Sequence, residues 1–301
     1  MKRVLITGGA GFVGTHLKDL LENSISNLGS YSVEIFDVKY GQDIRRYEDI
    51  RNSVDTFQPD LVFHLAAQAF VPESSMNPNR GVSVNLLGTL NLLEAIRQTG
   101  NHSKVLVAGT SEEYGYDRDD LELTELSVAM PTTPYGVSKL ASTTLAMTYA
   151  RNYNMQIVAT RAWNHIGPGA SPSYAVSAFA KRIAEAEKYG TPVKHGNLES
   201  IRNYTNVRDT LAAYMFLIES PVGIYNVAGN DTVSSRYILE TLASFVRQDI
   251  KYESNDNLFR PMSLKFPKPN VDKLIRTCGW TQKYTLDDTL EEILNYWRKI
   301  V

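Results

Sequence analysis

Tyr135 and Lys139 are the residues whose types and spacing point most directly to chemistry. They lie four positions apart just after Pro134, at the start of a helical pattern, so the phenol and the ammonium share one helix face. A phenol has an ordinary pKa of roughly 10, and a neighbouring ammonium lowers it toward the neutral range. The pair is therefore predicted to exchange a proton with a substrate, although the same spacing also occurs on ordinary amphipathic helices.

A glycine-rich segment near the amino terminus is the second chemical feature. Residues 7–14 carry glycines at positions 8, 11 and 14, directly after an apolar strand pattern and directly before a helical one. Glycine permits a tight turn and close approach of a phosphate, and the exposed helix start offers N–H donors to a pyrophosphate. This context predicts a dinucleotide-binding site.

Asp37 ends the second predicted strand and bears on which dinucleotide is bound. An acidic side chain there accepts hydrogen bonds from the ribose hydroxyls and repels a 2′-phosphate, which favours NAD(H). The neighbouring Lys39 leaves NADP(H) open, and an ordinary carboxylate at a strand end is the alternative interpretation. Asp37 lies further from the glycines than is usual, and residues 23–30 are interpreted as a loop insertion that accounts for the difference.

The elements that must position these residues alternate between strands and helices. Apolar, β-branched runs at residues 4–6, 33–36, 61–63, 105–107 and 157–159 are separated by helical patterns. This alternation predicts an α/β fold with a doubly wound parallel sheet (a Rossmann fold) and a smaller C-terminal α/β substrate lobe. We assign residues 1–162 and 205–229 to the dinucleotide-binding domain, and residues 163–204 and 230–301 to the lobe. Helices are predicted at residues 173–189, 207–219, 234–246 and 286–297, and a loop over the cleft at 254–269.

Composition excludes several other classes. The chain has 301 residues and a formal charge of −2, so no basic excess favours nucleic acid. The single cysteine, Cys278, cannot form an intrachain disulfide, and we interpret it as a small buried side chain near a helix end. The five histidines lack metal-binding spacing, and no metal is expected. No apolar run suits a membrane span or a signal peptide, so a cytoplasmic protein is expected.

Further motifs carry a resemblance to a known family. Together with the glycine motif and the Tyr135/Lys139 pair, residues 64–67, Asn85 and Thr110 resemble extended short-chain dehydrogenases/reductases that act on nucleotide sugars. Residues 109–115, 164–169 and 196–199 most resemble GDP-4-dehydro-6-deoxy-D-mannose reductases. The GDP-mannose 4,6-dehydratases are similar in part of this pattern, at residues 110–112 and 196–199.

The resemblance implies roles for individual residues. Tyr135 would exchange a proton with the sugar C4 oxygen, Thr110 would hydrogen-bond that oxygen, and Lys139 would hold the nicotinamide ribose. Glu112 would be the C5 base in a dehydratase. The implied cofactor site comprises Tyr135 and Lys139 with Gly8, Gly11, Phe12, Val13, Gly14, Asp37, Asp43, Ile44, Leu65, Ala66, Ala67, Asn85 and Ile166. The implied substrate site comprises Glu112, Asn164, Leu198, Arg202 and Arg260, the two arginines pairing with the diphosphate.

Several alternatives stay open at this point. Arg202 and Arg260 also suit surface positions, and Asn85 suits a helix N-cap. Similar proteins often carry an acidic pair after Arg202, where this chain has Asn203 and Asn206. They also often carry an acidic residue after the later Arg-Pro, where this chain has Met and Ser at positions 262 and 263. Both places are expected to border the nucleotide, so GDP is only the leading choice of base.

Three functions compete. The first is an NAD(P)H-dependent reductase of the C4 ketone of GDP-4-dehydro-6-deoxy-D-mannose, with Tyr135 as the acid. The second is a dehydratase or 4-epimerase that retains its NAD, with Glu112 as the additional base of a dehydratase. The third is a non-catalytic, dinucleotide-sensing binding protein, which the intact Thr110, Tyr135 and Lys139 disfavour. A homodimer through helices around residues 86–96 and 140–150 is expected by analogy.

Overall fold

A parallel sheet of six strands forms the centre of the protein. The computed structural model describes residues 1–23, 30–115, 122–255, 258 and 267–301. Every neighbouring pair of strands in the sheet is parallel. Across the sheet the strands are β10 (Gly223–Val227), β6 (Ile157–Ala162), β4 (Lys104–Thr110), β3 (Leu61–His64), β1 (Lys2–Thr7) and β2 (Tyr31–Phe36). The chain runs outward from β1 to β2 and then returns to β3, so a crevice for a ligand is expected at the carboxyl ends of β1 and β3.

Helices cover both faces of this sheet, which explains why its strands are apolar throughout. Val4 and Ile6 pack into the core on one face and Leu5 into the core on the other, as the alternation of a strand requires. One face is covered by α1 (Phe12–Asn23), α8 (Val207–Leu217) and α10 (Asp272–Cys278). The other is covered by α2 (Tyr47–Phe57), α5 (Gly88–Gln98) and α6 (Pro134–Tyr153). Between β3 and α5 lie α3 (Val71–Met76), α4 (Pro78–Val82) and a π-helical turn (Ser83–Leu87).

A second lobe has its own apolar core, in which Ile183, Leu242 and Leu290 are completely or almost completely buried. Its helices are α7 (Ala175–Tyr189), α9 (Ser235–Ser244) and α11 (Leu286–Arg298). Its three-stranded sheet consists of β7 (Asn164–Ile166), β9 (Ile201–Asn206) and β11 (Asp231–Ser234). Two small pairs complete the description: β8 (Val193–His195) with β12 (Tyr252–Ser254), and β5 (Glu122–Leu123) with β13 (Lys268–Pro269).

The predicted fold class, a Rossmann-type parallel sheet with a second lobe, is confirmed. Helix α7 starts two residues later than predicted, because Tyr174 has extended backbone angles. Cys278 is the last residue of α10 and is half-buried, with its Sγ donating to the Leu274 carbonyl at 3.2 Å. The domain boundaries stay a prediction. Most of the predicted insertion at 23–30 and most of the loop at 254–269 lie outside the described residues.

No helix in the described ranges has both the length and the apolar character needed to cross a bilayer.

Candidate active site

The glycine loop joins β1 to α1 at the carboxyl edge of the sheet. Gly8 has a φ of +72°, and a Cβ there would lie 2.6 Å from the Ala66 amide nitrogen. A Cβ on Gly14 would lie 2.5 Å from the Gly9 Cα. Phe12 and Val13 open α1, whose first turn carries no acidic side chain. The loop therefore leaves a helix start that is open to an anion and that larger residues would obstruct.

Asp37 directs its carboxylate at this loop. Its Oδ2 accepts from the Ala10 amide at 3.1 Å, and its Oδ1 accepts from the Lys39 amide at 2.9 Å. Asp43 instead pairs with Arg45, and this hydrogen bond holds the pKa of Asp43 below its ordinary value. Ile44 is buried and packs against Gly88, where a Cβ would lie 2.8 Å from its Cγ2. Among these residues, Asp37 is the one held beside the glycines.

The segment after β3 lines the other side of the loop. Leu65 and Ala66 lie against Gly8, and Ala67 follows them. Asn85 fixes this segment: its Oδ1 accepts from the Gln68 amide at 2.8 Å and its Nδ2 donates to the Gln68 carbonyl at 3.2 Å. Asn85 lies inside the π-helical turn and is not a helix N-cap, so that alternative is wrong. Its side chain therefore holds the backbone of the segment that follows β3.

His64 holds the ends of β1 and α5 together. Its Nδ1 lies 2.7 Å from Thr7 Oγ1, and its Nε2 lies 3.0 Å from Thr89 Oγ1. Thr89 donates its own proton to the Asn85 carbonyl at 2.6 Å, so His64 Nε2 must be the donor and Nδ1 the acceptor. Burial lowers the pKa of His64 to about 3, which keeps the ring neutral.

Tyr135 and Lys139 lie in the first turns of α6 and are both buried. Pro134 is at the helix start, and the N-cap Thr133 accepts from the Gly136 amide at 3.0 Å. The hydroxyl of Thr110, at the end of β4, interacts with the Tyr135 phenol. Thr110 and Tyr135 are therefore brought together on the cavity wall, and Lys139 lies one turn further along α6.

The direction of the Tyr135 pKa differs from the prediction. Burial raises the pKa of the phenol above its ordinary value, the Thr110 hydroxyl opposes the rise, and the charge of Glu112 adds to it. The expected lowering by Lys139 is wrong, because desolvation of the buried phenolate dominates the pKa of Tyr135. Burial also lowers the pKa of Lys139 to about 8, against the opposing charge of Glu113. Near neutral pH the site therefore holds a protonated phenol beside an ammonium.

Glu112 titrates near neutral pH. Burial raises the pKa of its carboxyl to about 7, while the charge of Arg202 and a hydrogen bond from Thr133 lower it. Thr133 Oγ1 lies 3.3 Å from Glu112 Oε2. A carboxyl with this pKa can give or take a proton at physiological pH.

A cavity of about 830 Å³ separates these residues from the second lobe. This volume suits a small organic ligand with charged groups. Of the predicted residues, it is lined by Thr110, Glu112, Tyr135, Asn164, Ile166 and Arg202. Leu198 packs into the core of the second lobe, and its neighbour Asn197 lines the cavity instead. Arg260 and the Met and Ser at positions 262 and 263 lie outside the described residues.

The structure adds wall residues that the sequence reasoning missed. Arg182 reaches the cavity from α7, and its Nη1 donates to the Lys194 carbonyl at 2.8 Å. Phe70 and Tyr174 face one another from the two lobes, with ring centroids 5.8 Å apart at 84°. His165 also lines the cavity and is stacked on Phe12 at 6.3 Å. No local sequence pattern marks an aromatic residue or an arginine as part of a cavity wall. These four residues are therefore identified only by the positions of the elements that carry them.

Asn203 and Asn206 do not line this cavity, whereas Tyr204 between them does. Asn203 is fully buried and donates to the Gly229 carbonyl at 2.8 Å, whereas its neighbour Arg202 faces the cavity. The alternation of β9 places them on opposite faces. Asn206 caps α8, accepting from the Arg208 amide at 2.8 Å. Both asparagines hold the second lobe together.

Comparison with known proteins agrees with this fold. The chain is similar to GDP-6-deoxy-D-mannose reductase of Pseudomonas aeruginosa, with 28% identity over 305 residues that cover 100% of this chain and 98% of that protein. It is also similar to dTDP-D-glucose 4,6-dehydratase of Mus musculus, with 25% identity over 99% of this chain and 89% of that protein.

Two solved structures are similar over the whole chain. RMD from Pseudomonas aeruginosa complexed with NADPH has a TM-score of 0.91 and 28% identity, and the match covers 100% of both chains. UDP-glucose 4-epimerase of Thermus thermophilus in complex with NAD has a TM-score of 0.86 and 30% identity, and the match covers 99% of this chain and 100% of that one.

Fold and site together define an extended short-chain dehydrogenase/reductase of the kind that acts on nucleotide sugars. The chain belongs to the GDP-mannose 4,6-dehydratase family, whose family model matches residues 5–293.

Proposed function

We propose that this protein is an NAD(P)H-dependent reductase of the C4 ketone of GDP-4-dehydro-6-deoxy-D-mannose. One observation carries the proposal: Tyr135 is buried, held protonated and placed on the cavity wall beside Thr110. Reduction of a ketone needs a proton donor at the forming alkoxide, and a phenol with a raised pKa begins the reaction with its proton in place. The similar reductase of Pseudomonas aeruginosa, which matches over the whole chain, supports the same activity.

The residues present fit a dinucleotide. The cradle at Gly8 and Gly14 has no room for side chains, and the start of α1 is open to a pyrophosphate. Lys139 is buried in the second turn of α6, where its ammonium would donate to the hydroxyls of a ribose. Asp37 beside the glycines favours NAD(H), whereas the NADPH bound to the similar RMD structure keeps NADP(H) in the proposal.

The chain's own residues would perform the proton transfer. When bound, the reduced dinucleotide supplies a hydride to the carbonyl carbon. Tyr135 donates its phenolic proton to the carbonyl oxygen, and Thr110 donates a hydrogen bond to the same oxygen. Lys139, as an ammonium, stabilises the phenolate that remains until solvent returns the proton.

The second lobe would hold the nucleotide end of the substrate. Arg202 and Arg182 supply positive charge to the cavity wall, which suits a diphosphate. Asn164 adds an amide whose Nδ2 donates to the Asn203 carbonyl at 3.0 Å, leaving its oxygen as an acceptor for sugar hydroxyls. GDP is the proposed nucleotide because of the similarity to GDP-sugar enzymes.

A 4,6-dehydratase is the second candidate, and Glu112 is the observation that favours it. A carboxyl with a pKa of about 7 on the cavity wall is suited to take the C5 proton. The two candidates differ in their use of the dinucleotide: a dehydratase recovers its hydride in each turnover and keeps its cofactor, whereas a reductase consumes it.

The first experiment denatures the purified protein and assays the released dinucleotide. The protein is then offered GDP-4-dehydro-6-deoxy-D-mannose with NADH or NADPH, and separately GDP-mannose alone. Stoichiometric consumption of the added reduced cofactor with the keto sugar supports the reductase. Retained NAD together with loss of water from GDP-mannose overturns it in favour of the dehydratase. The corresponding dTDP- and UDP-sugars test the choice of base.

The homodimer through α5 and α6 stays a prediction, which sedimentation equilibrium of the purified protein would check.

A further inference from the structure

Glu113 and Arg161 form a buried ion pair directly behind the candidate active site. The Glu113 side chain is completely buried and that of Arg161 is 6% exposed, and Arg161 Nε donates to Glu113 Oε2 at 2.9 Å. Burying two charges is costly, and apolar residues of similar volume often stabilise a core as well or better. Stability alone is therefore a poor explanation for this pair.

The surrounding backbone is shaped to admit the carboxylate. A Cβ on Gly109 would lie 2.6 Å from Glu113 Oε1 and 2.0 Å from the Thr160 carbonyl oxygen. The Arg161 guanidinium lies over the Tyr114 ring, 4.5 Å from its centroid. Glu113 and Arg161 themselves do not line the cavity, whereas Gly109 beside the carboxylate does.

One contact of Glu113 fixes the end of β4. Its Oε1 accepts from the Thr110 amide at 3.1 Å, while Thr110 Oγ1 accepts from the Glu112 amide at 3.3 Å. These reciprocal bonds form a capping box at the 3₁₀ helix Ser111–Glu113. They set the direction of the Thr110 hydroxyl, which interacts with Tyr135.

A second contact places the same carboxylate beside the catalytic face of α6. Thr143 Oγ1 donates to Glu113 Oε1 at 3.0 Å. Tyr135, Lys139 and Thr143 follow one another at intervals of four residues and are all buried, so they lie along one face of α6. The Glu113 charge therefore lies about one helical turn from Lys139, and it raises the pKa of that ammonium against the effect of burial.

We propose that Glu113 is a positioning residue, whose buried carboxylate orients Thr110 at the end of β4 and places a negative charge about one helical turn from the Lys139 ammonium. Burial raises the pKa of Glu113 above its ordinary value, and the Arg161 guanidinium opposes this rise, because it carries a permanent charge that the carboxylate compensates. This inference rests on the proposed use of Lys139 in dinucleotide binding.

Three other titratable groups face this region, and burial shifts the pKa of each. His64 on β3 stays neutral, since burial lowers its pKa to about 3. Glu112 has a pKa of about 7, raised by burial, and burial raises the pKa of Tyr135 well above that of Lys139. Lys139 changes charge near pH 8, and Glu112 titrates about one unit lower, so the Lys139→Met variant assigns the alkaline change to Lys139.

Binding of NADH and of NADPH, followed by fluorescence from pH 6 to 10 without sugar substrate, tests the proposal. Affinity should fall on the alkaline side as Lys139 loses its proton, and Lys139→Met should abolish this pH dependence. Glu113→Gln keeps an acceptor for Thr110 and Thr143 but removes the charge. The alkaline limb, which is the pH range over which dinucleotide affinity falls, should therefore move down by about 1 pH unit. Glu113→Asp, which keeps the charge, should restore the limb.

A double variant, Glu113→Leu with Arg161→Met, guards against misfolding of the single variant by replacing both charges. It should show the same shift of the limb together with a kcat lowered about tenfold or more at unchanged KM, because the Thr110 amide also loses its acceptor. Glu94→Gln is the matched control: Glu94 accepts from Arg97 and Tyr149 away from the cavity, so its removal should leave the limb in place.

An alkaline limb that stays at the wild-type pH in the folded double variant overturns the proposal, as does an unshifted limb in a folded Glu113→Gln. Failure of the reductase proposal is distinguishable, since it would leave the keto sugar unreduced by the wild type without altering the pH dependence of dinucleotide binding.

Discussion

Replacing Tyr135 with Phe removes one oxygen from the centre of the candidate site. The phenol is buried, protonated and in contact with Thr110, and the change leaves Lys139 and the glycine loop intact. Dinucleotide binding should therefore be unchanged, while the reacting oxygen loses its proton donor.

The expected loss follows from what remains. A positioned general acid contributes about 10²- to 10⁴-fold to a rate. Thr110 still donates to the same oxygen, so we expect kcat to fall by about 10²- to 10³-fold, or roughly 3–4 kcal/mol of transition-state stabilisation. The assay is oxidation of NADH or NADPH with the keto sugar, read at saturating cofactor.

Tyr149→Phe is the matched control on the same helix. The Tyr149 side chain is as little exposed as that of Tyr135, and its hydroxyl donates to the Glu94 carboxylate at 2.6 Å. Loss of this bond to a charged acceptor should destabilise the fold by about 1.5 kcal/mol or more, whereas Tyr135→Phe loses a bond between neutral groups, worth about 1 kcal/mol. Thermal unfolding should therefore rank Tyr149→Phe as the less stable variant and turnover should rank it as the more active. The reasoning is refuted if Tyr135→Phe keeps more than a third of wild-type kcat, or if its activity loss merely follows lost cofactor binding.

Three further predictions concern neighbouring residues. Glu112→Gln should leave ketone reduction nearly intact but abolish any loss of water from GDP-mannose. Because the folded pKa of about 7 lies above the unfolded value, Glu112 destabilises the fold increasingly as pH rises from about 4.5 to 7. In urea unfolding at pH 8 the variant should therefore gain up to about 3 kcal/mol of unfolding free energy, and equal stability at that pH contradicts the burial argument. Gly14→Ala should weaken dinucleotide binding at least about tenfold in fluorescence titration, since its Cβ would lie 2.5 Å from the Gly9 Cα. The control Gly190→Ala, whose backbone strain is confined to the end of α7, should lose about 1 kcal/mol of stability and bind the dinucleotide normally. Arg202→Ala should raise KM for the nucleotide sugar about 10- to 100-fold and raise the pKa of Glu112 further. The control Asn203→Ala, at the next position, should lower the unfolding temperature and leave KM unchanged. An increase of KM in both variants would contradict the diphosphate role of Arg202.

Much of the fold and the site's central residues could be predicted from the sequence by itself, because they depend on local patterns. The run of apolar strands dictates a sheet covered on both faces. A glycine motif between a strand and a helix most commonly binds the pyrophosphate of a dinucleotide. Tyr135 and Lys139 share a helix face whatever surrounds them, because four residues make about one turn. Thr110 reaches them because strand ends of a parallel sheet meet at one edge.

Only the tertiary structure decided the electrostatics and the walls of the cavity. The Tyr135 pKa rises because desolvation depends on every element packed around the phenol, which no spacing within α6 reports. Glu113 and Arg161 are 48 positions apart, and their pairing follows from the adjacency of β4 and β6. Likewise, Arg202 faces the cavity and Asn203 the lobe interior because of the register of β9 between its two neighbours. Local sequence fixes which side chains share a face, whereas burial and long-range pairing arise only when separate elements come together.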